Sequence, residues 1–183
     1  MSPNAELLID FANSVDHDEG TDDLTTGVEL TRWLLARGLL ERREPATAED
    51  LALALRLRDA LHEALVGNHD RTPDWTALEG VATDLPLRLG GVLPTGRGIE
   101  PGLRPVRDGV PGAVSRILVA VNAAVADGSW PRVKICSADD CRWAYFDATK
   151  NRSRAWCEWG CGNKAKTRNY RARRRAAGGE TPV

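Results

Sequence analysis

The residues with the clearest chemistry are four cysteines, which stand in two close pairs near the end of the 183-residue chain. Four residues separate Cys136 from Cys141, three separate Cys157 from Cys161, and fifteen lie between the pairs. Each pair can bend round one ion while the segment between them folds as a β-hairpin, so the spacing is typical of a tetrahedral site with four thiolate ligands. We therefore predict one structural Zn²⁺ bound by all four cysteines.

Two disulfides, or four inert buried cysteines, are the alternatives. The N-terminal residues MSPNAELLID include acids but no basic region and no long apolar run, so we expect no secretory signal and a reducing, cytoplasmic location in which disulfides are rare. Unrelated core cysteines would not fall into two close pairs. A catalytic metal is not expected either, because such a site keeps one position open for water.

The elements that must position the cysteines are short. We predict a strand at 133–136, a tight turn that brings Cys136 to Cys141, a second strand at 142–146 and a basic loop at 147–155. A helix should follow, with Cys157 and Cys161 at its head and its end near Arg175. A turn, a hairpin and a helix round one zinc form a treble-clef arrangement.

Charge changes sign at the start of this module. Residues 1–131 carry 12 lysines and arginines against 21 acids, whereas residues 132–175 carry 13 against 4, although the whole chain has a net charge of only −1. Such asymmetry indicates nucleic-acid binding. The alternative is that the basic module docks on the acidic one.

The predicted helix carries this positive charge in two stripes. Lys164, Arg168, Arg171 and Arg175 recur at helical spacing, and Lys166, Tyr170 and Arg173 form a second stripe beside them. A helix without an apolar face must meet water or an anion. These cations are therefore candidate nucleic-acid contacts, together with Arg152 and Arg154 in the preceding loop, unless the helix is simply solvated.

Residues 1–131 read as a mainly helical α+β domain with one hairpin. Apolar periodicity and capping residues predict helices at 5–15, 26–37, 47–67, 75–84 and 113–127, a loop at 17–23 and a hairpin of strands 86–92 and 99–106. No stretch looks long and apolar enough to span a membrane. Because no catalytic motif or carboxylate pair stands out, we do not expect an enzyme.

One polar stripe on the first predicted helix could line a ligand pocket. Asp10, Asn13 and His17 share a helical face. Asp10 and Asn13 are the candidate pocket residues, although the same side chains could instead brace the helix against its neighbours.

The cysteine module resembles a known family. Trp156-Cys157-x-x-x-Cys161-Gly162-Asn163-Lys164-x-Lys166, with the preceding Cys-x4-Cys pair and Phe146-x-Ala148, is similar to the CGNR zinc finger. This finger lies at the C-terminus of bacterial proteins with an ABATE domain, which are described as stress-induced transcription regulators. Leu8-Ile9-Asp10-Phe11-Ala12-Asn13-Ser14 resembles the opening of that domain. Lys164 stands where the motif has arginine, which keeps the charge but loses the planar fork that binds guanine or phosphate through two hydrogen bonds.

The resemblance implies a DNA-binding transcriptional regulator. We expect an ABATE-like domain at 1–131 that binds a small-molecule effector, a finger at 132–176 that contacts duplex DNA, and a disordered tail at 177–183. Because one short helix contacts few base pairs, tight specific binding should need a homodimer. An RNA-binding zinc protein, or a protein-docking module attached to a small-molecule-binding domain, are the alternatives.

Overall fold

The computed structural model describes residues 1–70, 72–95, 98–164, 166–167 and 170. The helices are α1 Pro3–Ala12, α2 Gly27–Ala36, α3 Ala48–Val66, α4 Thr76–Ala82 and α5 Gly109–Ala126. The strands are β1 Val15–Asp16, β2 Thr21–Asp22, β3 Leu87–Thr95, β4 Gly98–Pro105, β5 Val133–Ile135 and β6 Ala144–Phe146. A further helix begins at Cys161. The α+β class and the small cysteine-bearing finger predicted from the sequence are confirmed.

Local signals account for several helix ends. The hydroxyl of Thr47 accepts a hydrogen bond from the backbone N–H of Asp50, and the Asp50 carboxylate accepts one from the N–H of Thr47, so the predicted capping box starts α3. Thr26 caps α2 in a similar way. After α5, Gly128 adopts a φ of +74°, a left-handed conformation that ends the helix and favours glycine.

The hydrophobic core lies where α1, α3 and α5 meet. Leu8 and Phe11 on α1, Leu57 and Leu61 on α3, and Ile117 on α5 are fully buried in one cluster. By length and composition α5 could cross a membrane, which the sequence analysis did not expect of any segment, but more than half of it is buried inside the protein. Its apolar surface packs in the centre of the fold.

One predicted loop contains strands. The acidic run at 17–23 was expected to be irregular, but Val15 pairs with Asp22 and Asp16 pairs with Thr21 in a short antiparallel ladder. The Asp16 carboxylate accepts hydrogen bonds from the backbone of the next residues and so closes the turn. Two-residue strands are too short for apolar alternation to reveal them.

The second ladder matches the predicted hairpin. β3 and β4 pair antiparallel from Leu87 opposite Pro105 to Thr95 opposite Gly98, with a register shift between Gly91 and Pro94. Residues 96 and 97 of the expected turn lie outside the described residues, as does the expected tail at 177–183.

The third ladder joins the finger to the helices. β5 and β6 pair antiparallel, and Val133, Ile135 and Ala144 are buried in the same hydrophobic cluster as α1, α3 and α5. The predicted boundary between the helical domain and the finger is residue 131. Across that point the two parts share one core.

Candidate metal centre and its supports

All four cysteines are buried, and their sulfur atoms lie within 4.8 Å of one another. The Sγ of Cys157 is 3.7 Å from that of Cys141 and 3.6 Å from that of Cys161. A disulfide would need about 2.05 Å, so these are free thiols, as expected. Four sulfurs at about 2.3 Å from one tetrahedral zinc would stand about 3.8 Å apart, which these separations match. The site therefore fits one structural zinc.

A tight turn after β5 presents the first two ligands. The N–H of Cys136 donates to the carbonyl of Trp143 at 2.8 Å, and the N–H of Cys141 donates to that of Ala138 at 3.1 Å. Arg142 follows in the left-handed region with a φ of 51°. This arrangement folds Cys141 back beside Cys136.

The other two ligands lie at different places in their element. Cys161 is the first helical residue, whereas Cys157 lies before a turn at 158–160 in which Gly160 has a φ of +82°. The prediction that both sit at the head of the helix was therefore wrong for Cys157. Its N–H points to the Sγ of Cys136, 3.5 Å away, rather than into a helical turn.

Burial and backbone hydrogen bonds shift the thiols of the cluster in opposite directions. Burial raises the pKa of the Cys161 thiol to about 11 and raises that of Cys141 further. Burial also opposes ionisation of Cys136, but backbone N–H groups of Cys157 and Ala138 outweigh it and lower the pKa of that thiol. When bound, Zn²⁺ holds all four sulfurs as thiolates. With every tetrahedral position filled by the chain, the metal has a structural role.

A buried ion pair supports the loop between the two cysteine pairs. Lys134 is 1% exposed and Asp147 is 0% exposed, and the Lys134 Nζ lies 2.9 Å from an Asp147 carboxylate oxygen. The same ammonium donates to the carbonyls of Arg152 and Arg154, while Asp147 accepts from Thr149 and from the Arg154 N–H. The buried ammonium and the buried carboxylate therefore both have hydrogen-bond partners. Burial opposes ionisation of Asp147, but the Thr149 hydroxyl and Lys134 hold its pKa well below its usual range.

Arg154, a predicted nucleic-acid contact, is built into this support. Its guanidinium donates to the carbonyl of Trp156 at 2.7 Å and to the carboxylate of Glu158 at 2.9 Å. It also lies over the Tyr145 ring, 5.0 Å from the centroid. Arg152 is half-buried, and its carbonyl accepts from Lys134.

The start of the predicted basic stripe is at the surface. Lys164 and Lys166 are exposed in the first turns of the C-terminal helix. The Lys164 ammonium lies 3.9 Å from the carboxylate of Asp18, with both side chains more than half exposed. Arg168, Arg171, Arg173 and Arg175 lie outside the described residues.

The candidate pocket residues on α1 have protein partners. Asn13 donates from its amide nitrogen to the carbonyl of Ala144 at 2.9 Å, and its amide oxygen accepts from the N–H of Ala144 at 2.7 Å. Asp10 lies 3.3 Å from the guanidinium of Arg37. Asn13 therefore braces β6 against α1, and the ligand pocket stays a prediction.

The end of α3 supports β5. Asn68 donates to the carbonyls of Trp130 and Val133, both at 2.8 Å, and a His69 ring nitrogen lies 2.5 Å from the carbonyl of Ile135. Sequence reasoning missed these residues, because a polar side chain at a helix end does not reveal a strand some 65 residues away as its partner.

Comparison with known families agrees with this geometry. A model of the CGNR zinc finger matches residues 132–174. The ABATE model, described as "Putative stress-induced transcription regulator", matches residues 5–133. The chain belongs to the ABATE family. No curated protein matches it. The predicted resemblance and the predicted zinc are confirmed, and the protein is a zinc-binding member of a regulator family.

The residues that resemble the ABATE opening have structural partners in this protein. Leu8 and Phe11 are fully buried in the core. The Ser14 hydroxyl donates to the carbonyl of Phe11 and accepts from Arg58, whose guanidinium also binds the Asp22 carboxylate at 2.7 and 2.8 Å. The motif thus ties α1 to α3 and to the β1–β2 ladder.

A groove of about 550 Å³ lies beside α2 in the ABATE domain. Its lining residues are Val28, Thr31, Arg32, Leu35, Arg43 and Pro45. The Thr31 hydroxyl donates to the carbonyl of Glu44 and accepts from the N–H of Ala46, which holds the following loop against α2. Asp10 and Asn13 do not line this groove.

Proposed function

We propose that the protein is a DNA-binding transcriptional regulator that contacts duplex DNA with the helix beginning at Cys161. The observation that supports this most directly is that a zinc ligand is the first residue of the basic helix. The metal would therefore fix the helix to the body of the protein. Exposed Lys164 and Lys166 lie within its first two turns.

The distribution of charge supports a polyanionic partner. Residues 132–175 have a net charge of +9, and four thiolates with one Zn²⁺ would leave about +7. Three cations of this segment donate hydrogen bonds within the finger through their charged groups, namely Arg132, Lys134 and Arg154. Most of the remaining cations of residues 132–175 follow Cys161 in the sequence. Four to six neutralised phosphates would give a slope of about −4 to −5 in log K against log salt.

The helical domain is suited to transmit a signal to the finger. Asn13 binds the backbone of β6. Asp10, one turn earlier on α1, forms an ion pair with Arg37 at the end of α2. A small-molecule effector that shifts α1 would therefore shift the finger strand with it. In this proposal the effector acts by favouring one position of the finger over another.

The test compares the wild type with a variant in which Lys164, Arg168, Arg171 and Arg175 are alanine. Anisotropy titrations of a labelled 20-base-pair duplex in 50 mM salt should show at least a tenfold weaker Kd and a less negative salt slope for the variant. A control variant removes the same charge from exposed arginines of the helical domain, namely Arg32, Arg42, Arg43 and Arg116.

The control variant should bind like the wild type. Equal affinity of the helix variant and the wild type would contradict the proposal. Competition by an RNA of the same length that exceeds competition by the duplex would assign the protein to RNA instead.

A further inference from the structure

One aromatic side chain on the finger projects into solvent. Trp159 is 74% exposed, whereas the other five tryptophans are buried or half-buried. A tryptophan carries a large apolar ring, so a partner that covered this side chain would bury more apolar surface than at any smaller exposed side chain. Nothing else in the described residues of the finger has a comparable apolar surface open to solvent except Tyr170, which is 61% exposed.

The backbone that carries this indole is part of the metal site. Trp159 lies between the zinc ligands Cys157 and Cys161, and Gly160 beside it takes a left-handed φ of +82°. The carbonyl of Gly160 accepts hydrogen bonds from the N–H groups of Asn163 and Lys164, which start the basic helix. Trp159 therefore lies on a turn whose two ends are zinc ligands, so little backbone entropy would be lost when a ligand covers the ring.

Exposed cations follow Trp159 in the sequence. Lys164 and Lys166 are exposed at the start of the helix, with the Lys164 ammonium 3.9 Å from the Asp18 carboxylate, and the acidic Glu158 is paired with Arg154. Cores of protein–protein interfaces are depleted of lysine. An exposed aromatic ring next to a basic track is instead the pattern by which proteins hold unstacked nucleobases, with stacking on the ring and cations on the phosphates.

We propose that Trp159 stacks on an unstacked base of the DNA that the basic helix holds. This rests on the DNA-binding function proposed above and specifies its partner. The protein binds a duplex that contains an unpaired base more tightly than a fully paired duplex, because the unpaired base reaches the indole without the cost of breaking a stack.

The test uses zinc-loaded full-length protein with two probes, a labelled 20-base-pair duplex and the same duplex with one unpaired central adenine. Wild-type protein should bind the second probe more tightly. Trp159→Ala should weaken binding to that probe by about 5- to 150-fold, the range that corresponds to 1–3 kcal/mol per stacked base. Trp159→Phe, which keeps an aromatic face, should recover most of the affinity.

Two further measurements separate stacking from charge and from folding. The salt slope of Trp159→Ala should equal that of the wild type, because stacking releases no counterions, whereas Lys164→Ala should change it by about one. Leu89→Ala removes an apolar side chain that is 73% exposed on β3 and should leave both affinities unchanged. All variants should retain one zinc per chain.

Failure of the inference differs from failure of the proposed function. If the wild type binds neither probe, the function itself is wrong. If the wild type binds both probes and Trp159→Ala binds each probe with the affinity of the wild type, the proposed function stands and the inference is overturned. Trp159 is then assigned to a protein partner. Equal weakening on both probes also overturns it, because the indole then does not distinguish the unpaired base.

Discussion

At the level of single residues, charged side chains inside the fold serve the structure. Lys134 and Asp147 would be counted from the sequence as a surface cation and anion, but both are buried and form an ion pair. Breaking such a pair leaves one charge without a partner in a poorly solvated place. The finger therefore has fewer cations free to meet a ligand than its composition indicates, although its net charge is unchanged because the pair is neutral.

His62 is a second buried residue with unusual electrostatics. It is 3% exposed, its Nε2 lies 2.8 Å from the carbonyl of Ala12, and its Nδ1 has no hydrogen-bond partner among the described residues. Burial lowers the pKa of His62 below its ordinary 6.5, and the electrostatic influence of Arg142, His17 and Arg58 lowers it further. The hydrogen bond to Ala12 opposes the shift but does not cancel it.

The lowered pKa of His62 predicts that the free energy of unfolding falls in acid. The unfolded chain takes up a proton on this residue near pH 6.5, whereas the folded chain takes it up only at a lower pH. The contribution of neutral His62 is therefore complete above pH 6.5. It falls by up to about 1.4 kcal/mol for each pH unit below that value, until the folded pKa is reached.

Urea unfolding of zinc-loaded protein from pH 7.5 to 5.0 would measure this dependence. His62→Gln, which can still donate to Ala12, should have a flatter profile. The exposed neighbour variant His17→Gln should keep the steeper one. Parallel profiles for the wild type and His62→Gln would rule out this assignment, because protonation of the zinc ligands is common to both proteins.

Sequence reasoning succeeded at residues whose partners are near in the chain. The cysteine pairs and the Thr47 capping box each act over five residues or fewer, so spacing alone predicted them. It missed Lys134 because a lysine in a short strand is expected to face solvent, and Asp147, which neutralises it, lies on the neighbouring segment. The role of Asn13 was left open because its partner, Ala144, is 131 residues away.

At the level of elements, the finger hairpin depends on the ends of two helices. Asn13 at the end of α1 binds the backbone of β6, and Asn68 and His69 beyond α3 bind the backbone of β5. These side chains form hydrogen bonds with the backbone of β5 and β6, as a neighbouring strand would in a larger sheet. The position of the hairpin is therefore set by helices whose sequence precedes it by more than 60 residues.

Asn13→Ala should show how much this bracing contributes. It removes two hydrogen bonds and leaves the N–H and C=O of Ala144, a residue 1% exposed, without those partners. We expect the free energy of unfolding to fall by about 2–3 kcal/mol and the amide of Ala144 to exchange its hydrogen at least tenfold faster.

Urea titration and hydrogen exchange followed by NMR would measure these effects. Asn122→Ala changes an exposed asparagine on α5 and serves as the control. If the two variants agree within 0.5 kcal/mol and the Ala144 amide keeps its exchange rate, Asn13 does not carry the bracing assigned to it.

At the level of the whole molecule, two stabilising centres divide the chain. The helices are held by the hydrophobic core, whereas a second buried cluster contains the four cysteines and Tyr145, with Ala138, Trp143 and Trp156 packed beside it. This second cluster has few apolar side chains. Its order should therefore depend on the metal, and the order of the helices should not.

Zinc removal should separate the two centres. Metal analysis of purified protein should find about one zinc per chain, and Cys157→Ser should lose it. In that variant, residues 136–143 and 148–161 should exchange their amide hydrogens rapidly while α3, α5 and the braced strand β6 keep their protection, as measured by hydrogen-exchange mass spectrometry. Ser137→Ala, beside a ligand but exposed, should retain both metal and protection.

Unchanged protection of 136–143 and 148–161 without metal would show that zinc is not required for the fold of the finger. Collapse of protection throughout the chain would show that the two centres are one cooperative unit.

The hairpin shared between finger and helices limits how the finger can be used in protein engineering. Zinc fingers are attractive parts for chimeric proteins when they fold alone on a flexible tether. Here an excised finger would carry Val133, Ile135 and Ala144 with their apolar faces uncovered, and the helices left behind would lose the strands that cover them. A transferable unit must therefore include Asn13, Asn68 and His69 with the helices that carry them. The finger alone is unsuited to transfer, and fusions should use the whole protein.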